Sequence, residues 1–239
     1  MKTMRTLFLG EMRRMVSYKI LPVSLFTSVL WIIAFLLLSK TEAQSVAPML
    51  LFTDVVLMSI LLVGASHHLE RQEGTVKSML VMPVSVGQIV ASKVLASLAL
   101  SLESAVVTCV ALYFIHGVTL NYGLLLLSVV VSGAAHAVLG YSLSLMSRDF
   151  SSMLGIFSLY IVLFAVPSIL LLLNVIPASF DWLLLISPSH AAQKQLSAAF
   201  TGTGDLLKLL VSFGYPAVLT AILLLKYVYP GFRRHAVRG

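Results

Sequence analysis

Apolar residues gather into six long runs, at 20–39, 47–66, 94–115, 122–146, 154–176 and 206–229. Each holds about 20 residues or more, the length an α-helix needs to cross a hydrocarbon core of about 30 Å. The pattern predicts an all-α polytopic membrane protein with six transmembrane helices. The polar stretches between the runs are short apart from two: residues 67–93, HHLERQEGTVKSMLVMPVSVGQIVASK, and residues 177–205.

Ahead of the first run, Met4, Leu7, Phe8, Met12, Met15 and Val16 fall at helical spacing, with Lys2, Arg5, Arg13 and Arg14 beside the stripe. Such a basic amphipathic helix, over residues 1–19, belongs in the membrane interface; a disordered basic tail is the alternative. The first run exceeds the apolar core of about 7–15 residues in a signal peptide, and the SKTEAQS after it fits a small-x-small cleavage site poorly. It reads as a retained span. With no internal repeat and no low-complexity linker, residues 1–239 form one membrane domain.

Composition removes the soluble alternatives. The chain is 59% hydrophobic and 10% charged, with mean hydropathy +1.01, whereas a soluble domain is about 45–50% apolar and about a quarter charged. A net charge of +7 would suit nucleic acid only on a basic solvent face. Here the cations flank the apolar runs, where they set topology, and no nucleic-acid partner is expected. With the N-terminus inside, the inner segments hold Lys2, Arg5, Arg13, Arg14, Lys19, Arg71, Lys77, Lys93, Arg148, Lys226, Arg233, Arg234 and Arg238. The outer segments hold only Lys40, Lys194 and Lys208. Thirteen against three places both termini in the cytoplasm. The single cysteine, Cys109, lies inside an apolar run and leaves neither a disulfide framework nor a Cys metal cluster.

Intrinsic catalysis has no support. No G-x-x-x-x-G-K-S/T loop is present, and GTGDLLK at 202–208 has the wrong spacing. His67 and His68 are adjacent, so on a helix they diverge by about 100° and chelate poorly; they read as interfacial polar residues. No nucleophile motif accompanies the Ser, His and Asp residues.

Ionisable groups inside the spans need partners or water, because a charge at mid-bilayer costs at least about 2.5–3.5 kcal/mol. Asp54, Glu103 and His136 are the pathway candidates. At about 1.5 Å per residue Glu103 lies about 13 Å from the inner boundary and His136 about 21 Å from the outer one. Comparable depth on consecutive antiparallel helices makes them a candidate pair, whether for function or for packing alone. Asp54, about 10 Å below the outer surface by the same rise, is placed to line an outer vestibule. Pro167 and the small residues Gly133, Ala134, Ala135, Ala137 and Gly140 mark a kink and close helix packing. Residues 177–205 carry a short apolar patch at 182–186, then Pro188 and HAAQKQLSAAF. A re-entrant or interfacial hairpin fits, and so does an amphipathic outer loop.

Residues 67–93 have internal parts. Glu70, Arg71 and Glu73 carry charge out of the second span. Gly74 breaks the helix, and Thr75 is an N-cap for a short helix over 76–82. Pro83 stops that helix, and Ser85 with Gln88 forms a capping box that starts the next. The short helix lies crosswise between two elbows, presenting Lys77, Ser78 and the apolar run at 79–82; such an exposed run implies a docked partner.

The string ERQEGTVKSMLVMPVSVGQIVASK resembles the hallmark of ABC-2 type transporter permeases, matching at Glu70, Glu73, Gly74, Thr75, Leu80, Pro83, Val84, Ser85, Ile89 and Lys93. The resemblance implies a half-transporter: two permease copies, identical or paired with a similar chain, forming the pathway in the lipid bilayer. Each copy docks on a separate ATP-binding cassette subunit that binds ATP and Mg, so this chain needs no cofactor. The implied coupling residues are Glu70, Glu73, Gly74, Thr75, Lys77, Leu80, Pro83, Val84 and Ser85, and the hairpin after the fifth span caps the exit. Gln72 between the acids departs from the pattern and leaves the salt-bridge arrangement with the ATPase open. The implied function is export of a hydrophobic or amphiphilic small molecule such as a drug, across a bacterial or archaeal cytoplasmic membrane. Residues 52–54, the Glu103 region and Ser187-Pro188 resemble the drug-export branch associated with fluoroquinolones. Lipid or peptide export, and a non-transporting immunity or sensor role, are the alternatives.

Overall fold

The computed structural model describes residues 2–202 and 204–232, without the side chains of Lys2, Lys77 and Leu80. Arg233, Arg234 and Arg238, and the side chains of Lys77 and Leu80, therefore lie outside the described residues.

Every regular element among the described residues is helical. Helix α1 (Lys2–Ser17) turns at Lys19, whose φ of 63° is left-handed, into α2 (Ile20–Leu37). Its apolar stripe divides: Met15, with Phe8 and Met12, packs on Ala96 and Leu100, while Leu9 and Val16 remain exposed. A disordered tail is thereby excluded. Ser39 and Glu42 form a capping box that opens α3 (Lys40–Gln72), so the connection expected over 40–46 is helical from Lys40. After Gly74 come α4 (Thr75–Val81), α5 (Val86–His116) and α6 (Tyr122–Met146). Asp149 caps α7 (Phe150–Leu172); α8 (Asp181–Leu184), α9 (Pro188–Thr201) and α10 (Leu206–Phe232) complete the described fold. Helices α2, α3, α5, α6, α7 and α10 are the six long and apolar enough to cross a membrane.

Two lengths matter. Helix α3 has 33 residues and α5 has 31. At about 1.5 Å per residue they run about 50 and 46 Å, well beyond a hydrocarbon core of about 30 Å. Both overshoots meet at α4. Regular α-geometry is interrupted by π turns at Thr53–Met58 in α3 and at Ile161–Ala165 in α7. The second directly precedes Pro167, whose missing N–H breaks the α ladder.

Helix α6 is the hub, touching α3, α5, α7, α9 and α10. Small residues permit this: a Cβ on Gly140 would stand 2.8 Å from Ile60 Cα, and only hydrogen fits. Near α4, Val76 and Met79 join Val63, Ile89, Val138, Tyr141 and Phe232 in one core. At the other end of the spans, Leu51, Phe52, Leu125, Val129 and Leu196 form a second.

Candidate functional site

Where α3 and α5 overshoot, four charges meet, three of them buried and the fourth, on Arg14, partly exposed. Glu70, Lys93 and Glu11 are 0%, 4% and 2% exposed. Lys93 Nζ donates to Glu70 Oε1 and lies 3.2 Å from Glu11 Oε1. Arg14 donates to Glu11 Oε1 at 2.5 Å, and its Nε stands 3.7 Å from Glu70 Oε1. Two acids and two bases cancel, the condition under which buried charge is tolerated. The cluster ties α1 to the ends of α3 and α5 that adjoin α4. Glu70 thus does not carry charge into water as the sequence implied: the α-helix continues to Gln72 and turns that carboxylate inward. Glu73 does face outward and accepts a 2.7 Å hydrogen bond from Tyr18 OH. Burial and the adjoining Glu73 push the Tyr18 phenol above its ordinary pKa, so it remains a donor.

The elbow itself differs from expectation at Thr75. The N-cap position of α4 is Gly74, whose φ of 68° is left-handed, and Thr75 is the first helical residue. Its hydroxyl donates 3.0 Å back to the Glu70 carbonyl, closing the preceding helix instead of opening the next. Met82, before Pro83, is extended and ends α4. The Ser85 box is present: Gln88 N donates to Ser85 Oγ at 3.2 Å and Ser85 N to Gln88 Oε1 at 3.0 Å. The apolar run at 79–82 splits by face. Met79 is buried, whereas Val81 is 86% exposed with Met82 and Ser78 beside it. Val84 packs against the same core as Met79. His67 and His68 are buried rather than interfacial: His67 lies 4.7 Å from the Tyr141 ring, and His68 Nε2 is 2.8 Å from Ser147 Oγ.

The intramembrane candidates separate into two networks. Asp54, inside the π turn, accepts from Trp31 Nε1 at 2.7 Å and Ser104 Oγ at 2.5 Å. Glu103 accepts from Ser24 at 2.9 Å and Ser28 at 3.0 Å. Both acids thus lie on a polar seam between α2, α3 and α5. Asp54, Ser59 and Ser101 there line a cavity of about 20 Å³, space for one water rather than an outer vestibule. His136 does not pair with Glu103. Its Nδ1 is 2.7 Å from the Ser132 carbonyl and its Nε2 3.2 Å from Tyr160 OH. Neither depth nor azimuth brings them together. Ser101 of α5 faces Gly133 of α6, so on these antiparallel helices Glu103 and His136 lie on opposite sides of that contact, about 7 Å apart in height. Glu103 also points about 200° away from it.

Residues 177–205 build a second structured region, away from α4. Asn121 N, at the start of α6, donates 3.0 Å to the Ala199 carbonyl. Ser132 Oγ donates 2.8 Å to Gln195 Oε1, and Tyr160 OH lies 2.7 Å from Ser189 Oγ. Helix α9 therefore runs beside α6 from the level of His136 to its end at Asn121, about 20 Å at 1.5 Å per residue. Asp181 Oδ1 lies 3.0 Å from His190 Nε2 and 2.7 Å from Lys194 Nζ, and Asp181 Oδ2 is 2.5 Å from Lys208 Nζ. Burial raises the Asp181 pKa, but the hydrogen bonds from Lys194, Lys208 and His190 outweigh it and hold the carboxyl well below its ordinary range. Burial holds His190 below its own ordinary value despite Asp181, leaving the imidazole neutral at pH 7.

Of the candidates named from sequence, Glu70 and Glu73 join through α1, and Asp54 and Glu103 share the seam, while His136 stands with α9. Glu11, Arg14 and Tyr18 were missed, although one signal was available. Glu11 is the only acid in an otherwise basic amphipathic stretch, and an acid there needs a cation.

No curated protein matches the chain. Residues 3–201, from α1 through the end of α9, match the family described as ABC-2 type transporter. With six membrane-spanning helices and the α4 elbow between the second and third of them, the chain belongs to the ABC-2 type transporter membrane family and is a permease of an ABC transporter.

Proposed function

We propose that this permease is the pathway-forming subunit of an ATP-driven exporter and works as a dimer, with ATP and Mg bound and hydrolysed by a separate ATP-binding chain. The observation that carries the reading is the two-faced α4. Its inner face, Val76 and Met79, is fixed in the core shared with α3, α5, α6 and α10. Its outer face offers Ser78, Val81 and Met82, with Glu73 at the elbow. A partner pushing on that face moves α3 and α5 together, because Glu70 and Lys93 lock their ends to each other and to α1. Helix α4 and both termini lie on the cytoplasmic side of a bacterial or archaeal membrane, as the cation distribution supports. The cargo is a hydrophobic or amphiphilic compound, a drug-like molecule in the first instance, with lipid or peptide second. The seam of Asp54 and Glu103 lies on the helices that α4 moves, and the α9 hairpin caps the exit. Apolar faces of α2, α7 and α10 remain exposed for lipid and for the second copy.

Co-purification tests the coupling. Glu73→Lys and Ser78→Pro should each reduce recovery of the ATP-binding chain to background while membrane insertion stays intact. Full recovery with both variants would remove α4 as the docking element.

A further inference from the structure

Helix α1 has two unlike faces. Phe8, Met12 and Met15 pack against Ala96 and Leu100 of α5. Those positions come three and seven residues after Lys93, where the apolar run at 94–115 begins. Helix α1 therefore lies along the boundary at which α5 passes from polar to apolar surroundings, the depth of lipid headgroups.

The opposite face is unpartnered. Arg5, Leu9, Arg13 and Val16 follow one another at spacings of four, four and three, which sets them on one stripe. All four are exposed, Leu9 by 46% and Val16 by 49%, and so is Lys19 at the turn into α2. Among the described residues no ion pair uses Arg5, Arg13 or Lys19. The one acid within residues 3–19, Glu11, is turned inward to Lys93 and is 2% exposed. Glu73 meets this stretch at Tyr18, one residue past the helix.

Cations alternating with apolar residues at this depth select the occupant. An acidic soluble partner would satisfy the arginines and leave Leu9 and Val16 in water. A second copy meeting this face about a two-fold axis would set arginines against arginines. A lipid that carries net negative charge suits both kinds of residue.

We infer that this face of α1 docks anionic phospholipid headgroups in the leaflet next to α4. Arg5, Arg13 and Lys19 donate to phosphate oxygens, while Leu9 and Val16 enter the acyl boundary. Phosphatidylcholine, whose choline ammonium offsets its phosphate, is the weaker ligand. The surface stands apart from the export reading, because binding here needs neither ATP nor a partner chain.

The full-length chain in nanodiscs holding phosphatidylglycerol and phosphatidylcholine at equal mole fraction tests it. Lipid retained after transfer to detergent is identified by mass. Wild type should enrich phosphatidylglycerol, and Arg5→Gln and Arg13→Gln should each lower that enrichment about fivefold, the worth of one cation at an anionic membrane surface. Glutamine keeps the helix propensity, so the melting temperature should not move. Lys40→Gln, at the other end of α2, should leave the enrichment unchanged. Equal retention of both lipids by wild type, an equal loss in Lys40→Gln, or undiminished enrichment in the folded arginine variants would each overturn the surface. In the last case a changed oligomeric mass would assign the face to a second copy. Displacement of the lipid by inorganic phosphate, at an ionic strength where chloride leaves it bound, would assign the site to a free anion and overturn it too. Should an arginine variant fail to fold, wild type against Lys40→Gln decides.

Discussion

Lys93 sits within reach of two buried carboxylates, Glu70 and Glu11, and the balance holds only because Arg14 brings the second positive charge. Removing one member leaves uncompensated charge in the interior, which costs about 3–5 kcal/mol, whereas neutralising a pair together costs far less. Lys93→Met is therefore expected to lower the stability of the purified protein by that amount. Adding Glu70→Gln should restore most of it, since Glu11 and Arg14 still cancel; thermal melting of the two singles and the double measures the coupling. At this scale the sequence was only partly readable. The family resemblance marked Glu70 and Lys93 as matching positions, but whether a carboxylate at a helix end faces water or protein depends on where the helix stops. The α-helix runs on to Gln72, and nothing in the local residues fixes that end.

Helices were more legible than their faces. Ser85 with Gln88 declared its helix start, and Pro83 its stop. Thr75 misled because a threonine after glycine suits an N-cap and equally suits a hydroxyl donating back to a carbonyl. Two glycines set the elements by different means. Gly74 has open space where a Cβ would go, so Gly74→Ala meets only the left-handed backbone penalty, about 1–2 kcal/mol. Gly74→Asn should cost less, because asparagine tolerates that conformation. Gly140 has ordinary helical backbone and no space. Gly140→Ala must push α3 from α6 and should cost about 1–3 kcal/mol, with no relief from asparagine. Chemical denaturation of the detergent-solubilised variants would separate the two cases by that asparagine response.

For the molecule as a whole, run length and hydropathy were sufficient to count the spans, and the fourth agrees end to end at Tyr122–Met146. What pattern does not encode is rotation about each helix axis or the register between neighbouring helices. Glu103 and His136 therefore looked like partners at comparable depth, although Ser101, not Glu103, meets α6, at Gly133. Nor did it fix α9: ten of its residues are buried, yet its small and polar composition reads as a surface helix until α6 and α10 are known to surround it. Orientation in the bilayer is testable on intact cells and inside-out vesicles. With Cys109 replaced by alanine, Ser78→Cys should react with a membrane-impermeant maleimide only in inside-out vesicles, and Thr41→Cys only in intact cells. The reverse pattern would invert the topology assigned from the cations.

The π turn at Thr53–Met58 holds one residue more than an α-helix needs over the same rise. It acts as a phase reserve midway along α3. Loss of a single residue there closes the turn to plain α-geometry and leaves both flanking segments in register. Loss of one further along α3 would instead rotate everything beyond it by about 100°. Glu70 would then swing off Lys93, and the elbow would part from the spans it is fixed to.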